Sequence, residues 1–287
     1  MKIAIGTAQF GMKYGINNDF GKVSEFDVKK ILNHSINNGI DTIDTAIAYG
    51  DSENVLGMTG VSDFKVISKL PKIPDENKIN DLMHKMVNES LTRLNIQSLY
   101  ALMLHAPHQI LDKNGEEIIS ALQNLKQKGL INKIGISIYS VKELGPLLDI
   151  FKFDIIQCPF NLVDRSLDET GWLKKLKKLD IEVHTRSSFL QGLLVMPRKK
   201  IPEKFNKWNS LWELWHEWLK ENNISAVSAC VNFCLSNEYI DKVVFGVDSL
   251  DQLKEIIESS ETLSVKSYPD IGSSSENLIN PSKWSNL

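Results

Sequence analysis

Eight short apolar runs, rich in β-branched residues, alternate with longer helical patterns through almost the whole chain of 287 residues. The predicted strands are residues 2–7, 42–46, 64–69, 99–105, 133–137, 153–158, 181–186 and 242–246. The predicted helices are residues 25–38, 52–57, 78–94, 116–128, 141–150, 166–179, 211–222 with 226–235, and 250–259. This alternation favours a closed (β/α)8 barrel of the TIM type, with an open doubly wound α/β sheet as the remaining alternative.

The pattern also bears on domain organisation. Neither an internal repeat nor a linker rich in Pro and Gly interrupts the alternation, so residues 1–287 are predicted to form a single domain. The segment 272–287 is rich in Ser and Asn, and we expect it to be a loosely ordered tail.

Charge and hydropathy exclude two kinds of partner. The chain carries 33 Lys and Arg against 36 Asp and Glu, a net charge of −3 that argues against nucleic-acid binding. No apolar run approaches the roughly 20 residues that a membrane helix needs, and the first residues lack the features of a signal peptide. We therefore expect a cytoplasmic protein that binds neither nucleic acid nor membrane.

The three cysteines, Cys158, Cys230 and Cys234, all lie in apolar segments. An odd number without paired spacing predicts reduced, buried thiols. Cys230 and Cys234 are one helical turn apart, but no His or second Cys pair is near them. Core packing is the favoured interpretation, and no metal site is predicted.

Ionisable residues close three consecutive predicted strands. Asp44 lies at the end of the second strand, Lys69 of the third and His105 of the fourth, while Tyr49 follows in the loop after Asp44. Taken alone, each residue has a structural explanation as a turn cap, a snorkelling lysine, a core histidine or a packed loop aromatic. Since the active site of such a barrel lies at the C-terminal ends of its strands, the four together predict a catalytic site.

These residue types suit the protonation of an oxyanion. A free tyrosine has a pKa of about 10, and the ammonium group of Lys69 is expected to lower the pKa of Tyr49. Asp44 is expected to keep Lys69 charged, and His105 to orient a carbonyl oxygen against Tyr49. The residues therefore predict an acid that protonates a carbonyl oxygen while hydride or another nucleophile reaches the carbon.

At these residues the sequence resembles the aldo/keto reductase superfamily. The segment DTIDTAIAYG at 41–50 resembles the family signature that contains the catalytic Asp and Tyr, and Lys69 and His105 match the other two members of the tetrad. Further family patterns are matched at residues 52–57, 90–94, 135–137 and 189–194. The resemblance implies reduction of a small aldehyde or ketone, with a sugar-like carbonyl among the candidates. It also implies NADP as the cofactor, with NAD as the alternative.

The resemblance implies a set of cofactor contacts. The matching positions are Ser137, Gln157, Arg186, Ser187, Leu190, Gly192, Gly246, Ser249 and Gln252. Ile138 stands where the family often has Asn, and Arg186 stands where it often has a stacking aromatic ring. Asp248 and Asp251 are acidic in a turn where relatives that prefer NADP carry a basic residue, so the choice between NADP and NAD stays open.

Four other segments could have a structural role or a role in binding. Residues 249–252 form a helix capping box, which is compatible with a cofactor role. The basic loop 196–209 is either solvated or a cover for anionic groups, and the loop 9–20 is the candidate for substrate contacts. The tryptophans at 208–218 are predicted to pack a helix against the barrel.

Two other functions stay open at this point. One is a nicotinamide-binding regulatory subunit with little turnover, and the complete tetrad argues against it. The other is a lyase or aldolase that forms a Schiff base on Lys69, and Asp44 argues against it because it keeps the lysine protonated.

Overall fold

The computed structural model describes residues 1–16, 18, 21–75, 78–262, 265 and 267–287. Its strands are β1 (Ile3–Gly6), β2 (Thr42–Asp44), β3 (Lys65–Leu70), β4 (Leu99–Leu104), β5 (Ile131–Ser137), β6 (Ile155–Pro159), β7 (Glu182–Arg186) and β8 (Lys242–Gly246). They form one closed parallel sheet in chain order, with β8 paired to β1. The predicted TIM barrel is confirmed.

Helices lie between the strands and after the last one. The α-helices of the described residues are α1 (Ala8–Gly11), α2 (Glu25–Asn37), α3 (Ser52–Thr59), α4 (Ile79–Leu94), α5 (Gly115–Gln127), α6 (Leu144–Ile150), α7 (Ser166–Glu169), α8 (Trp172–Lys178), α9 (Asn209–Glu221), α10 (Ala226–Ser236), α11 (Leu250–Glu261) and α12 (Glu276–Ile279). Short 3-10 helices lie at Pro107–Leu111, Val141–Glu143, Leu190–Val195, Arg198–Lys200, Glu203–Trp208 and Pro281–Asn286.

Most predicted elements differ from the structure by one or two residues in their bounds, and some are divided. The predicted helix 166–179 is divided into α7 and α8 at Gly171, which has a φ of +76°. A residue in this left-handed conformation interrupts a helix, and glycine adopts it without a steric penalty. The predicted strand 153–158 begins two residues later, at Ile155.

The barrel interior explains how the strands direct side chains toward one site. Ile67 on β3 and Met103 on β4 are fully buried in the small apolar cluster that fills the barrel. Successive strand residues point to opposite faces, so the residues two positions further on, Lys69 and His105, continue the inward-facing rows. These rows therefore carry a lysine and a histidine to the C-terminal end of the barrel.

A second apolar cluster lies outside the barrel and includes the C-terminal segment. Trp212 and Trp215 of α9 are fully buried in it, so these tryptophans pack their helix as predicted, but against a cluster of helix and loop residues rather than against the barrel strands. Leu278 and Trp284 are buried in the same cluster, and the indole N–H of Trp284 donates to the carbonyl of Leu278 at 3.1 Å. The segment 272–287, expected as a loosely ordered tail, is anchored there by Trp284, whose ring meets that of Phe205 edge-on at 4.9 Å between centroids.

Three further features of the described residues are their apolar helices, possible metal ligands and cysteines. None of the helices in these ranges has the length and apolar character needed to cross a membrane. Within the same ranges, no group of three or more His, Cys, Asp or Glu side chains is placed to hold a metal ion. Cys158, Cys230 and Cys234 are free thiols and buried, as predicted.

Candidate active site

The C-terminal ends of β2, β3 and β4 bring the predicted catalytic residues together. Asp44 is the last residue of β2, Lys69 lies one residue before the end of β3, and His105 directly follows β4. The backbone N–H of His105 donates to the carbonyl of Leu70 at 2.9 Å, which extends the pairing of the two strands to the site. Three strands therefore position these side chains on a rigid frame.

Lys69 and Asp44 form a buried ion pair. The Lys69 side chain is fully buried, and its Nζ lies 2.5 Å from Oδ1 of Asp44 and 3.0 Å from the carbonyl oxygen of Thr45. Burial lowers the pKa of Lys69, and the attraction of Asp44 opposes that shift. The pair thus holds a desolvated ammonium group at a fixed point.

Asp44 is held on its other side by a chain of polar side chains. Nε2 of Gln157 donates to Oδ2 of Asp44 at 2.7 Å, and Oγ of Ser137 donates to Oε1 of Gln157 at 3.0 Å. Ser137 and Gln157 are buried, and neither is among the residues that line the adjoining cavity. Ser137 and Gln157, which were predicted to contact a cofactor, therefore hold the carboxylate of Asp44 in place.

Tyr49 lies in the turn after β2, over the ion pair. Nζ of Lys69 is 5.1 Å from the centroid of its ring, and the ring meets that of His105 edge-on at 5.9 Å between centroids. Burial raises the pKa of Tyr49 well above its ordinary value, the charge of Asp44 adds to the increase, and Arg186 opposes it. The expected lowering by Lys69 is not found, because Asp44 neutralises that ammonium at 2.5 Å.

His105 is neutral at physiological pH. Burial lowers its pKa to about 4, and the positive charges of Lys69 and Arg186 contribute to the decrease. A neutral imidazole carries one N–H donor and one acceptor nitrogen. His105 is therefore suited to hydrogen-bond a carbonyl oxygen without competing as a proton source.

A cavity of about 340 Å³ adjoins these residues. Asp44 and Tyr49 lie in its wall, and the wall continues along the ends of β1, β7 and β8 to the turn before α11. Five of the nine predicted cofactor contacts line it, namely Arg186, Ser187, Gly192, Gly246 and Gln252. Four do not, namely Ser137, Gln157, Leu190 and Ser249.

Leu190 and Ser249 do not line the cavity, and each has a structural role instead. Leu190 is fully buried in the second apolar cluster, where it anchors the segment whose neighbours Gln191 and Gly192 face the cavity. Ser249 is the N-cap of α11, and its hydroxyl accepts the backbone N–H of Gln252 at 3.2 Å. The predicted capping role of this residue is confirmed.

The segment after β7 has an unusual backbone at the cavity wall. Ser187, Leu190 and Gln191 have positive φ values of 63°, 48° and 53°, and Gly192 follows with 95°. Non-glycine residues in this conformation are strained, and such strain is found at ligand-binding segments. Ser187, Gln191 and Gly192 of this turn line the cavity.

Some residues in and beside the cavity were missed or only partly anticipated. Tyr139 does not line the cavity, but Cζ of Arg186, which does, lies 4.7 Å from the centroid of its ring. Tyr139 follows β5 closely, so the rule that located Asp44 could have found it. Gln9 and Tyr14 of the loop 9–20 line the cavity, but Phe10 is fully buried in the main core. Asn17, Asp19 and Phe20 of that loop lie outside the described residues.

The basic loop 196–209 lies away from the cavity. Arg198 donates to Oδ1 of Asn209 at 2.8 Å, and Lys204 donates to the carbonyl of Trp284 at 2.8 Å. No residue of this loop is among those that line the cavity in the described parts of the chain. The hydrogen bond of Lys204 therefore connects this loop to the C-terminal segment.

Known proteins share this fold and sequence pattern. The chain is 28% identical over 270 residues to L-galactose dehydrogenase from Arabidopsis thaliana, covering 82% of this chain and 78% of that protein. It is 24% identical over 261 residues to D-arabinose 1-dehydrogenase from Saccharomyces cerevisiae, covering 82% and 76%. The solved structure of aldo-keto reductase AKR11C1 from Bacillus halodurans in its holo form matches with a TM-score of 0.71 at 21% identity, over 93% of this chain and 87% of that one. The model of the aldo/keto reductase family matches residues 2–276, and the chain belongs to this family.

Proposed function

We propose that this protein reduces a small aldehyde or ketone with a nicotinamide dinucleotide, and that Tyr49 donates the proton. The observation that carries the proposal is the arrangement at one end of the cavity: a buried Lys69–Asp44 pair lies beneath the ring of Tyr49, and neutral His105 lies beside it. This arrangement supplies an acid, a fixed ion pair beneath its ring and a neutral hydrogen-bond donor.

The residues along the cavity fit a dinucleotide. Its wall after β7 exposes backbone groups through the left-handed turn at Ser187–Gly192, and Gly246 brings bare backbone to the wall at the end of β8. Ser187, Gly192, Gly246 and Gln252 would hold the nucleotide, and Arg186 would lie against its nicotinamide ring. The bound nicotinamide supplies the hydride.

Tyr49 acts as the acid because its hydroxyl stays protonated in the resting site. Its raised pKa makes the phenol a weak acid, but an alkoxide formed at a carbonyl carbon is a stronger base and takes the proton. As the proton leaves, the positive charge of Arg186 stabilises the phenolate. His105 donates its N–H to the carbonyl oxygen and so places that oxygen against Tyr49.

The Schiff-base alternative is not supported by the position of Lys69. Its amine is fully buried, is paired with Asp44 and lies outside the group of residues that line the cavity. A lysine nucleophile needs a neutral amine that meets its substrate. Lys69 therefore serves as a fixed positive charge.

A sugar-like carbonyl is the substrate class that we propose. Two of the matched relatives are named as sugar dehydrogenases, for L-galactose and D-arabinose. The described cavity wall offers hydrogen-bonding side chains from Gln9, Tyr14 and Gln191. Turnover of aldoses compared with apolar aldehydes of the same size tests the class, and a preference for the apolar aldehydes would contradict it.

The variant Tyr49→Phe tests the role of the acid. We expect it to fold and to bind NADH with an unchanged Kd, whereas kcat/KM falls by roughly 10²- to 10⁴-fold, the usual contribution of general acid catalysis. Tyr268→Phe is the matched control, because Tyr268 is an aromatic residue packed in the second cluster and its loss of a hydroxyl leaves the site intact. Full activity of Tyr49→Phe would refute the assignment, and tight NADH binding without turnover of any carbonyl would favour the regulatory alternative.

A further inference from the structure

The structure separates two acidic residues that the sequence places together in the turn after β8. Asp248 lines the cavity. The side chain of Asp251 is 93% exposed and lies 3.9 Å from Lys254 on the outer surface of α11. A single carboxylate of this turn therefore faces the cavity.

The Asp248 carboxylate is held in place. Nδ2 of Asn18, in the loop after β1, donates to Oδ1 of Asp248 at 2.9 Å. Asp248 is half-buried, and this burial raises the pKa of its carboxyl group. A carboxylate has about four acceptor positions, so the bond from Asn18 leaves others for a ligand hydroxyl.

Side chains of the protein hydrogen-bond some of the backbone N–H groups at and just before the start of α11. The Ser249 hydroxyl accepts the N–H of Gln252 at 3.2 Å, and Oε1 of Gln252 accepts the N–H of Asp248 at 2.7 Å. Free N–H groups at a helix N-terminus are what attract a phosphate. One of those groups, the N–H of Gln252, is satisfied by the Ser249 side chain, and the N–H of Asp248 just before the helix is satisfied by Gln252.

The charges along the cavity are unevenly distributed. Of the lining residues that the structure describes, Arg186 is the one cation, and it lies at the end that contains Tyr49 and Asp44. The turn before α11 and the helix itself contribute two acids, Asp248 and Glu255. A dianionic phosphate bound at the end of the cavity away from Tyr49 would therefore be repelled by these two acids.

The chemistry fixes which half of the cofactor lies at each end. The nicotinamide must lie beside Tyr49, because the hydride goes to the carbon whose oxygen Tyr49 protonates. The adenosine half then extends along the cavity toward Gly246 and Asp248. Asp248 therefore lies where the adenosine ribose binds.

We propose that Asp248 makes this protein selective for NAD(H) over NADP(H), an inference that rests on the proposed function. Its carboxylate accepts hydrogen bonds from the ribose hydroxyls of NAD, as acidic residues do in other dinucleotide sites, and it repels the 2′-phosphate of NADP. The proposal favours NAD, which the sequence left as the alternative to NADP.

Calorimetric titration of the full chain with NADH and with NADPH tests the proposal without relying on activity. We expect wild type to bind NADH at least about tenfold more tightly than NADPH. Asp248→Asn should tighten NADPH binding about tenfold, because it removes the charge and keeps the shape of the side chain. Asp248→Ser is a second variant, and thermal melting checks that both fold.

Asp251→Asn is the matched control, because it removes the same charge from the same turn but outside the cavity. It should leave both Kd values unchanged. Wild-type binding of NADPH as tight as that of NADH would overturn the selectivity while leaving the oxidoreductase proposal intact. Equal shifts in Asp248→Asn and Asp251→Asn would overturn the role of the cavity carboxylate. Failure of wild type to bind either nucleotide would overturn both proposals.

Discussion

Removing one charge from the Lys69–Asp44 pair should destabilise the protein strongly. The side chains are 0% and 5% exposed, and the charged atoms are 2.5 Å apart. Asp44→Asn keeps the volume of the side chain and removes its charge, so the Lys69 ammonium is left buried without a counter-ion. Breaking a buried pair in this way costs about 3–5 kcal/mol. We expect a loss of that size in the free energy of unfolding at pH 7.

The loss should depend on pH in a defined direction. Burial lowers the pKa of folded Lys69 below the value of about 10.4 in an unfolded chain, and without the attraction of Asp44 the pKa falls further. Between these two values the unfolded state binds more protons, so stability rises with pH in that window. The deficit of Asp44→Asn should therefore shrink as the pH rises from 7 toward 10.

A double-mutant cycle separates the pair from its surroundings. Lys69→Met leaves Asp44 with the hydrogen bond from Gln157 but without a counter-ion, and it should also cost about 3–5 kcal/mol. The double variant buries no unpaired charge, so its loss should be several kcal/mol smaller than the sum of the single losses. Urea titrations followed by circular dichroism provide the free energies.

A second lysine on the same strand supplies the control. Lys65 pairs with Asp41 at 2.9 Å, but both side chains are more than 40% exposed. Lys65→Met should therefore cost less than about 1 kcal/mol. Additive losses in the Lys69–Asp44 cycle, or a loss in Asp44→Asn no larger than in Lys65→Met, would refute the account of the buried pair.

Two further predictions concern residues around the cavity. His105 should titrate in NMR spectra with a midpoint near 4, assigned by loss of the signal in His105→Gln, and a midpoint near 6.5 would contradict its burial between cations. Trp215→Phe should cost about 1–3 kcal/mol of stability and weaken NADH binding, because the indole N–H holds the carbonyl of Leu194 at 2.9 Å beside the cavity wall. Trp212→Phe, whose indole N–H bonds the carbonyl of Phe205 at 3.1 Å instead, should lose similar stability with an unchanged Kd for NADH.

The sequence predicted the fold and the catalytic end of the site for the same physical reason. Period-two alternation directs Ile67 and Lys69 to one face of β3, and strand ends in a closed parallel barrel meet at one rim. Knowing that a strand ends near Lys69 was therefore enough to place its side chain near Asp44 and His105. Errors of one or two residues in the strand bounds did not affect this result.

Features that depend on the packed structure were not predictable in this way. The pKa of Tyr49 rises because the side chain is largely withdrawn from water and because the charge of Asp44 lies near it, and neither effect is visible along the chain. Likewise, Asp248 and Asp251 look equivalent in sequence, but Asp248 precedes α11 and lines the cavity, whereas Asp251 lies in the first turn of the helix and is exposed. The burial of Leu278 and Trp284 depends on a cluster with residues far away in the sequence, such as Phe205.

Arg186 shows how one substitution in a family pattern changes the electrostatics of the whole site. Its guanidinium is held by stacking on Tyr139 and by a hydrogen bond of 2.9 Å to the carbonyl of Ile138. No ion pair to it occurs within the described part of the chain, so its charge acts on the cavity without a neutralising partner. That charge works against the increase in the pKa of Tyr49, and it helps to lower the pKa of His105. Arg186 thus holds the pKa of Tyr49 below the value that burial and Asp44 alone would give, and it adds to the effect of burial and of Lys69 on His105. An uncharged aromatic ring at this position would do neither.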